Sequence, residues 1–351
     1  ADTMADILRR LCFGVEGDRV TVPSWRADVE DKADLAEEVA RIYGYDRIPS
    51  TLMRGQTTRG YFTPAQRFER DVSGILLSAG MSEITTYSFI SPRCYDNLCL
   101  PADSPLRDSI VIKNPLGEDT SVMRTTALAS MLEVLARNYN VRNPAAALFE
   151  LATVYSKAGG DGKLPDERKQ VVLGAYGKKE DYLTLKGRAE PLLERLRVPL
   201  TDVVRCEDDP SFHPGRAARL ISGDTVLGVL GQIHPSVQRN YGVGAPLFCA
   251  VLELNALKRC AGRKQPYRPL PKYPAVTRDL AVVCDEDMPV LDLERVIRRQ
   301  AGTLLESLTL FDVYRGSQLP KGKKSAAYSL VLRAPDRTLS DTEADALIQS
   351  I

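Results

Sequence analysis

The sequence has few of the residues from which catalytic and metal centres are usually built. Its only histidines are His213, in FHPGR, and His234, in IHPSV, and neither has a partner at metal-ligand spacing, so a zinc site has almost nothing to form from. A catalytic histidine needs a nucleophile or an acid beside it, and none is indicated. Both histidines are predicted to lie in polar turns that cap strands. A nucleophile elbow, a dinucleotide fingerprint and an HExxH motif are also missing.

Long apolar runs and an ordered cysteine pattern are lacking too. No run approaches the roughly 18 apolar residues that span a bilayer, and no charged-then-apolar signal sequence opens the chain, so we expect a cytoplasmic protein without membrane contact. The seven cysteines are odd in number and scattered, which favours reduced, mostly buried thiols over a disulfide framework. With 351 residues, 44% hydrophobic and 26% charged, the chain is expected to form two or three globular domains.

The net charge of +1 hides an asymmetry along the chain. Residues 258–337 contain sixteen Lys and Arg against nine Asp and Glu, a balance of +7 that leaves −6 for the remainder. A basic end suggests a polyanion such as RNA as its partner, although an ordinary solvated basic face explains the charge equally well. Within it, the segment 316–325 has the wrong glycine spacing for a P-loop and is predicted to be a basic turn that meets a phosphodiester backbone.

Acidic residues are concentrated near the start, where residues 28–38 hold six carboxylates with Lys32 as the only cation among them. Carboxylates at this density suit a hard divalent cation, Mg²⁺ or Ca²⁺. The alternative is purely structural. A helix that begins at Asp34 and ends at Gly44, with Asp34-x-x-Glu37 as a capping box, uses acids to complement its dipole. The residues alone leave both interpretations open.

Hydrophobic spacing and turn residues predict an α+β fold with a mainly antiparallel sheet, because hairpins outnumber any βαβ pattern. Residues 159–162 are predicted to form an exposed loop. The predicted helices lie at 34–43, from 64 to about 79, around 128–135 and at 182–196, and the predicted strands at 84–89, 108–113, 147–155, 170–176, 218–221, 226–233 and 248–254.

The end of the chain has a different character. Prolines interspersed with Lys and Arg predict a stiff, extended linker at 258–273. Residues 274–351 then follow a strand, helix, strand, strand, helix order, with elements at 279–283, 291–301, 304–314, 326–332 and from 340. This order is that of a ferredoxin-like half-sandwich before its last strand.

Several long motifs occur in one order along the chain. PSWRADVEDKADLAEEVARIYGYDRIP starts at Pro23, NPLGEDTSVMRTTALASMLEVLARN at Asn114, FHPGRAARL at Phe212, LGQIHPSV at Leu230 and KYPAVTRDLAVV at Lys272. Together they resemble the C-terminal half of the beta subunit of bacterial-type phenylalanine–tRNA ligases. The resemblance implies a partial Mg²⁺-binding domain at 1–50, a class II synthetase-like core at 51–257 and a ferredoxin-fold anticodon-binding domain at 274–351 that stops before its last strand.

The resemblance also implies ligands and partners. In that family Mg²⁺ is assigned to acids that match Asp28, Asp34, Glu37 and Glu38 here. The beta subunit assembles with an alpha subunit, two of each, and binds tRNA(Phe) during the ATP-dependent attachment of phenylalanine. The family's beta subunit is about twice this length, and its N-terminal half is not represented. From the basic end we predict an RNA-contact surface made of Arg278, Arg315, Lys321, Lys323 and Lys324. Phe311, Tyr314 and Arg315 are the candidates for stacking on bases.

No catalytic residue is predicted in this chain. An active class II site needs an arginine followed by an acid in its second signature and a glycine-rich run ending in arginine in its third. Here Arg124 is followed by Thr125 and Thr126, and the run 228–235 contains no arginine. The fold is expected to be kept and the chemistry lost, so that the isolated chain is inactive. The alternatives are an active single-chain class II ligase and a general RNA-binding module on a degenerate enzyme fold.

Overall fold

The computed structural model describes residues 1–157, 164–262, 267 and 269–351. It divides into two compact units, Ala1–Tyr61 and Phe62–Ile351. The predicted loop at 159–162 and part of the predicted linker at 258–273 lie outside the described residues. Among the residues described, no helix is both long enough and apolar enough to cross a membrane.

The first unit consists of two helices and a short antiparallel hairpin around a small core. Leu8, Phe13 and Val29 are buried there, and Leu35 and Val39 pack against them. The helical spacing of the last two residues explains why they face this core. The elements are α1 (Asp2–Arg10), β1 (Gly14–Glu16), β2 (Arg19–Thr21), α2 (Lys32–Tyr43) and a 3₁₀ turn at Tyr45–Arg47.

The second unit begins with a large sheet and its helices. In chain order the elements are α3 (Pro64–Ser78), β3 (Ser82–Glu83), β4 (Phe89–Ile90), α4 (Cys94–Asn97), β5 (Val122–Met123), α5 (Leu128–Asn140), β6 (Ala146–Ser156), β7 (Asp166–Tyr176), α6 (Tyr182–Leu196), β8 (Asp202–Arg205), β9 (Phe212–Ser222), β10 (Thr225–Ile233), α7 (Pro235–Asn240), β11 (Phe248–Glu253) and α8 (Leu254–Cys260).

The seven-stranded sheet has the order β3-β6-β7-β11-β10-β9-β8. Every pairing is antiparallel except that of β3 with β6, which confirms the predicted mainly antiparallel sheet. Alternate side chains of a strand enter opposite layers. Val171 and Leu173 of β7 therefore join the core with α3, α6 and α8, whereas Val172 joins the core with α4, α5 and α7.

The prediction of a strand at 84–89 is largely wrong, because only β3 and β4 form near its ends. The backbone N–H of Thr86 donates to the carboxylate of Glu150 instead of to a neighbouring strand. The strand predicted at 108–113 is reduced to a single bridge between Val111 and Val122. The predicted linker begins too early, because α8 runs to Cys260 and buries Leu254, Ala256 and Leu257.

The last eighty residues form a smaller α+β domain. Its elements are β12 (Val276–Asp285), α9 (Val290–Ala301), β13 (Leu305–Tyr314), β14 (Lys323–Leu332) and α10 (Asp341–Ser350), which confirms the predicted strand–helix–strand–strand–helix order. The strands form an antiparallel sheet of order β12-β14-β13. Ile297 of α9 and Ala344 of α10 are buried against Tyr328 and Leu330 of the central strand, so the helices cover one face of the sheet.

Candidate functional site

The acidic cluster lies at the N-terminus of α2, where the Asp34 carboxylate accepts hydrogen bonds from the backbone. The helix begins at Lys32 with Asp31 as its N-cap, so the predicted start at Asp34 is wrong by two residues. The backbone N–H groups of Glu30 and Asp31 both donate to Asp34 Oδ2, at 2.9 Å each. The predicted box Asp34-x-x-Glu37 is therefore wrong as well, since Asp34 occupies the third helical position rather than the cap.

Arg26 joins two of the other acids. Its Nε and Nη2 donate to Asp28 Oδ1 and Oδ2 at 2.9 and 2.7 Å, and its Nη2 also contacts Glu38 Oε1 at 3.1 Å. Arg41 Nη2 donates to Glu38 Oε2 at 2.7 Å. Hydrogen bonds from Arg26 are the main cause that lowers the pKa of Asp28 and of Glu38, so both carboxylates stay ionised in this network.

These contacts leave no ligand set for Mg²⁺. Both oxygens of Asp28 and of the buried Glu38 face guanidinium groups, and Glu37 is exposed to solvent. Mg²⁺ demands near-octahedral oxygen ligands at about 2.1 Å. In the part of the chain that the structure describes, no group of three or more His, Cys, Asp or Glu side chains is placed to hold a metal ion. As arranged, the acids do not fit the ion, and the site at Asp28, Asp34, Glu37 and Glu38 stays a prediction.

Arg124, at the position compared with an ATP-binding arginine, is buried in the synthetase-like core. Its side chain is 2% exposed, and its Nη2 donates to Glu150 Oε1 at 3.1 Å. Its Nε donates to the carbonyl oxygen of Thr153 at 2.8 Å, and its Nη1 donates to Thr86 Oγ1 at 2.7 Å. The Thr86 hydroxyl lies 2.8 Å from Glu150 Oε2 and donates to it. All three nitrogens of Arg124 thus have partners inside the fold, which holds the arginine away from any triphosphate in solvent.

The glycine-rich run 228–235 is a strand followed by a helix start rather than a phosphate-binding loop. Gly228 lies at a register shift in β10 with φ of +154°. A Cβ at this position would lie 2.1 Å from the carbonyl oxygen of Val251 on the neighbouring strand. Glycine is therefore required here for the close approach of two strands, and no nucleotide needs to be invoked.

The two histidines serve local structure. His234 was predicted in a turn that caps a strand. It follows the last residue of β10, and it caps the next helix: it is the N-cap of α7, where its Nδ1 accepts from the backbone N–H of Ser236 at 3.1 Å. His213 was predicted in a turn but lies within β9, where its Nδ1 accepts from the backbone N–H of Gly215 at 3.1 Å. Neither contact pairs a histidine with a nucleophile.

The three-stranded sheet of the last domain leaves one face without helices. Side chains of β14 alternate, so that Ala326, Tyr328 and Leu330 are buried beneath the helices and the residues between them point the other way. The residues on this open face have smaller side chains: Ser325, Ala327, Ser329 and Val331. Tyr314 of β13 is 40% exposed and pairs with Ser325. Phe311 is 58% exposed and lies at a register shift in β13.

The position of Lys324 differs from the one predicted for the RNA-contact surface. It is only 6% exposed, and its Nζ donates to the carbonyl oxygens of Glu286 and Met288 at 2.9 and 2.6 Å. Because Lys323 and Lys324 are adjacent on β14, their side chains point to opposite faces. The prediction that Lys324 contacts RNA is therefore wrong, since its ammonium group satisfies the backbone of the β12–α9 connection.

Two of the hairpin's other three cations lie beside acidic residues. Lys323 Nζ is 2.6 Å from Asp285, and Arg315 forms an ion pair with Glu286. In the described part of the chain Lys321 has no acidic group within 4 Å. The run of acids from 285 to 287 was the sequence signal for this neutralisation, and an analysis of net charge alone misses it. As contacts to RNA, Arg315, Lys321 and Lys323 stay predictions.

Arg278 belongs to the other face of the sheet. It pairs in register with Leu330, which lies beneath the helices, and cross-strand partners point to the same side. Its Nη2 and Nε donate to Asp341 and Asp345 of α10, each at 2.7 Å. The prediction that Arg278 shares one surface with the hairpin lysines is therefore wrong. Its contacts hold α10 against β12.

The fold and these sites define a class of protein. A mainly antiparallel sheet between helical layers has a buried arginine where class II synthetases need one that contacts ATP. A ferredoxin-like domain with an open sheet face follows it. The structure is that of a class II synthetase-like core joined to a ferredoxin-like domain of the anticodon-binding type.

Comparisons with known proteins identify the family. Residues 48–255 match the family described as phenylalanyl tRNA synthetase beta chain CLM domain, residues 271–351 match the ferredoxin-fold anticodon binding domain, and residues 1–45 match the tRNA synthetase B5 domain. Since the first match covers more than half of the sequence, the chain belongs to the phenylalanyl-tRNA synthetase beta chain family.

Individual relatives agree with this assignment. The phenylalanine–tRNA ligase beta subunit of Clostridium tetani (strain Massachusetts / E88) is 46% identical over 94% of this chain, and that of Clostridium acetobutylicum is 45% identical over 98%. The beta subunit of Geobacter metallireducens is 34% identical over the whole chain. The matched parts are 42%, 44% and 46% of these relatives, so the chain spans less than half of their length.

Proposed function

We propose that this chain is the non-catalytic C-terminal part of a phenylalanine–tRNA ligase beta subunit. It pairs with an alpha subunit, as two of each, and binds tRNA(Phe) during the ATP-dependent attachment of phenylalanine. The family match and the anticodon-binding type of domain support the assignment to this ligase. The buried Arg124–Glu150 network supports the proposal that the chain is non-catalytic, because it holds the arginine that a class II site would use to bind ATP.

An ATP–pyrophosphate exchange assay with phenylalanine tests this role. We expect no exchange by the chain alone, since losing a group that stabilises charge in the transition state typically costs on the order of a hundredfold or more in rate. Exchange should appear when an alpha subunit joins the complete beta subunit. Exchange by the purified chain, with alpha subunit shown to be absent, would instead establish an active single-chain ligase.

The open face of the small sheet is the proposed site for the anticodon bases. Unstacked bases bind to aromatic planes, and Tyr314 and Phe311 are the exposed aromatics of this sheet. Base stacking on an aromatic side chain contributes about 1–3 kcal/mol per base. Tyr314→Ala should therefore weaken binding of tRNA(Phe), whereas Tyr87→Ala, which removes an exposed aromatic of the large domain, should not. Equal binding of all tRNAs would favour a general RNA-binding module.

Mg²⁺ and ATP are proposed as ligands of the assembled enzyme. For Mg²⁺ to use Asp28 and Glu38, Arg26 must first leave both carboxylates, and groups of the alpha subunit would complete the ligand set. The ion would then supply positive charge to this acidic cluster. A cytoplasmic location is part of the same proposal, because the proposed substrate is a tRNA.

A further inference from the structure

We propose that a second surface, on the synthetase-like core, binds the phosphate backbone of the tRNA. This basic shelf lies where α6 and α8 end, and the inference rests on the proposed tRNA binding. It would hold the body of the RNA rather than its anticodon. Its four members are all exposed: Arg195, Arg197, Lys258 and Arg259.

The two helix ends that form the basic shelf adjoin each other. The Gly262 N–H donates to the carbonyl oxygen of Arg197 at 3.0 Å, and a Cβ on Gly262 would lie only 3.0 Å from Arg197 Cβ. Leu196 at the end of α6 and Leu257 of α8 are buried in the same cluster. Side chains from both helix ends therefore project from one region of the surface.

The charge of the basic shelf is uncompensated in the part of the chain that the structure describes. None of its four cations has an Asp or Glu oxygen within 4 Å there, unlike Lys323 with Asp285 in the hairpin. Glu194 is the only acid in the last turn of either helix. The sequence from 254 to 278 contains seven Lys and Arg and no acid. Such a predominantly basic surface attracts a polyanion.

The position of the basic shelf fits the same RNA. Arg295 of α9 donates to the carbonyl oxygen of Thr201 at 2.9 Å and pairs with Asp202 at 3.0 Å. These contacts dock the anticodon-binding type of domain onto the core four residues after Arg197. The shelf thus lies beside that domain, and one RNA can contact both. Cations also complement a helix C-terminus without any ligand, so the experiment must separate the two roles.

Binding of a tRNA(Phe) transcript to the full 351-residue chain, measured at salt concentrations from about 50 to 200 mM, tests the basic shelf. Each phosphate contact contributes roughly 0.7–0.9 to the slope of log K against log salt. Replacing Lys258 and Arg259 by Gln, which keeps helix propensity, should lower the slope magnitude by about 1.4–1.8. The loss of affinity across this salt range then shrinks roughly tenfold. Lys178→Gln with Lys179→Gln removes two exposed charges elsewhere on the core and should leave the slope unchanged.

The outcomes separate the basic shelf from the proposed function. An unchanged slope in the Lys258/Arg259 variant, with a lowered unfolding midpoint, would show a helix-end role only and overturn the inference. An equal drop in the Lys178/Lys179 variant would overturn it too, since the effect would be one of net charge. If the shelf variant loses slope on every tRNA and the unaltered chain does not prefer tRNA(Phe), the shelf stands and the assignment to this tRNA fails.

Discussion

Arg124 and Glu150 form an ion pair at 3.1 Å with side chains only 2% and 4% exposed. Thr86, which precedes β4, joins the pair through its hydroxyl and its backbone N–H, and Thr153 of β6 joins through its carbonyl. The network therefore ties three segments that are distant in sequence. In an active class II site the arginine would have to leave such contacts to meet ATP.

Removal of one partner of this pair should destabilise the large domain strongly. Arg124→Ala leaves Glu150 charged and buried, and breaking a buried pair typically costs about 3–5 kcal/mol. Arg93→Ala is the control, because its pair with Glu118 has side chains 71% and 73% exposed and should contribute less than about 1 kcal/mol. Urea unfolding measures both. Equal losses in the two variants would contradict a buried network.

The double variant Arg124→Met with Glu150→Leu sharpens the same test. It removes both charges, so no unpaired buried charge remains, although Thr86 and the Thr153 carbonyl lose their partners. Apolar replacements of a buried ion pair are often neutral or stabilising. It should therefore unfold at higher urea concentration than Arg124→Ala. A double variant as unstable as the single one would mean that packing volume, rather than charge, decides the loss.

Alanine variants of Lys324 and Lys321 should have opposite effects, one on stability and the other on RNA binding. Lys324→Ala leaves the carbonyl oxygens of Glu286 and Met288 without a donor, which costs about 1–3 kcal/mol of stability, and it should leave the salt slope of tRNA binding unchanged. Lys321→Ala should leave stability unchanged and lower the slope magnitude by about 0.7–0.9. A changed slope for a well-folded Lys324→Ala protein would restore Lys324 to the RNA surface.

The elements that the sequence predicts well are those with local signals. Helix α3 has Thr63 as its cap and Pro64 in its first turn, and α6 shows a regular apolar stripe, so neither depends on distant residues. The strand at 84–89 fails because its central backbone N–H bonds Glu150, sixty-four residues away, and no local pattern contains that contact. The sequence therefore predicts elements that local residues stabilise and fails for elements that depend on contacts between distant residues.

The site residues were likewise predictable only where local sequence determines their environment. The strand was predicted to begin at 326, with 316–325 as a turn, whereas β14 begins at Lys323. Because Lys323 and Lys324 lie in this strand, its two-residue period sends them to opposite faces, which a turn does not predict. Burial of Arg124 could not be read from its neighbours, because its partners Thr86 and Glu150 come from other segments. A resemblance to a family locates such positions, and only the packed structure shows whether they are exposed.

The acidic cluster should bind Mg²⁺ weakly or not at all in the isolated chain, because Arg26 and Arg41 already hold its buried carboxylate. Isothermal titration calorimetry on the chain and on the enzyme assembled with alpha subunit measures the difference. Glu37→Ala is the informative variant, since Glu37 is exposed and its loss leaves the Arg26 contacts intact. It should reduce Mg²⁺ affinity in the assembly, whereas Glu30→Ala should not. Equal affinities for both variants would remove Glu37 from the proposed ligand set.

The first unit should lose stability in acid through Glu38. Hydrogen bonds from Arg26 and then from Arg41 lower the pKa of Glu38 from its ordinary value of 4.5. A folded pKa below the unfolded one contributes stability that is fully present above the unfolded value and is lost as pH falls through the folded value. The free energy of unfolding of this unit should therefore decline as pH falls below about 4.5.

NMR amide signals of α2 make the acid effect measurable, because they report on the first unit alone, whereas Trp25 of that unit is already 71% exposed when folded. Urea unfolding followed by these signals, at several pH values, should give a shallower pH dependence in Glu38→Gln than in the unaltered chain. Asp28 keeps part of the dependence, since its pKa is lowered by Arg26 in the same direction. Glu30→Gln, which removes an exposed acid outside this network, should keep the full dependence. Identical profiles for the unaltered chain and Glu38→Gln would mean that the contacts of Glu38 with Arg26 and Arg41 do not form in solution.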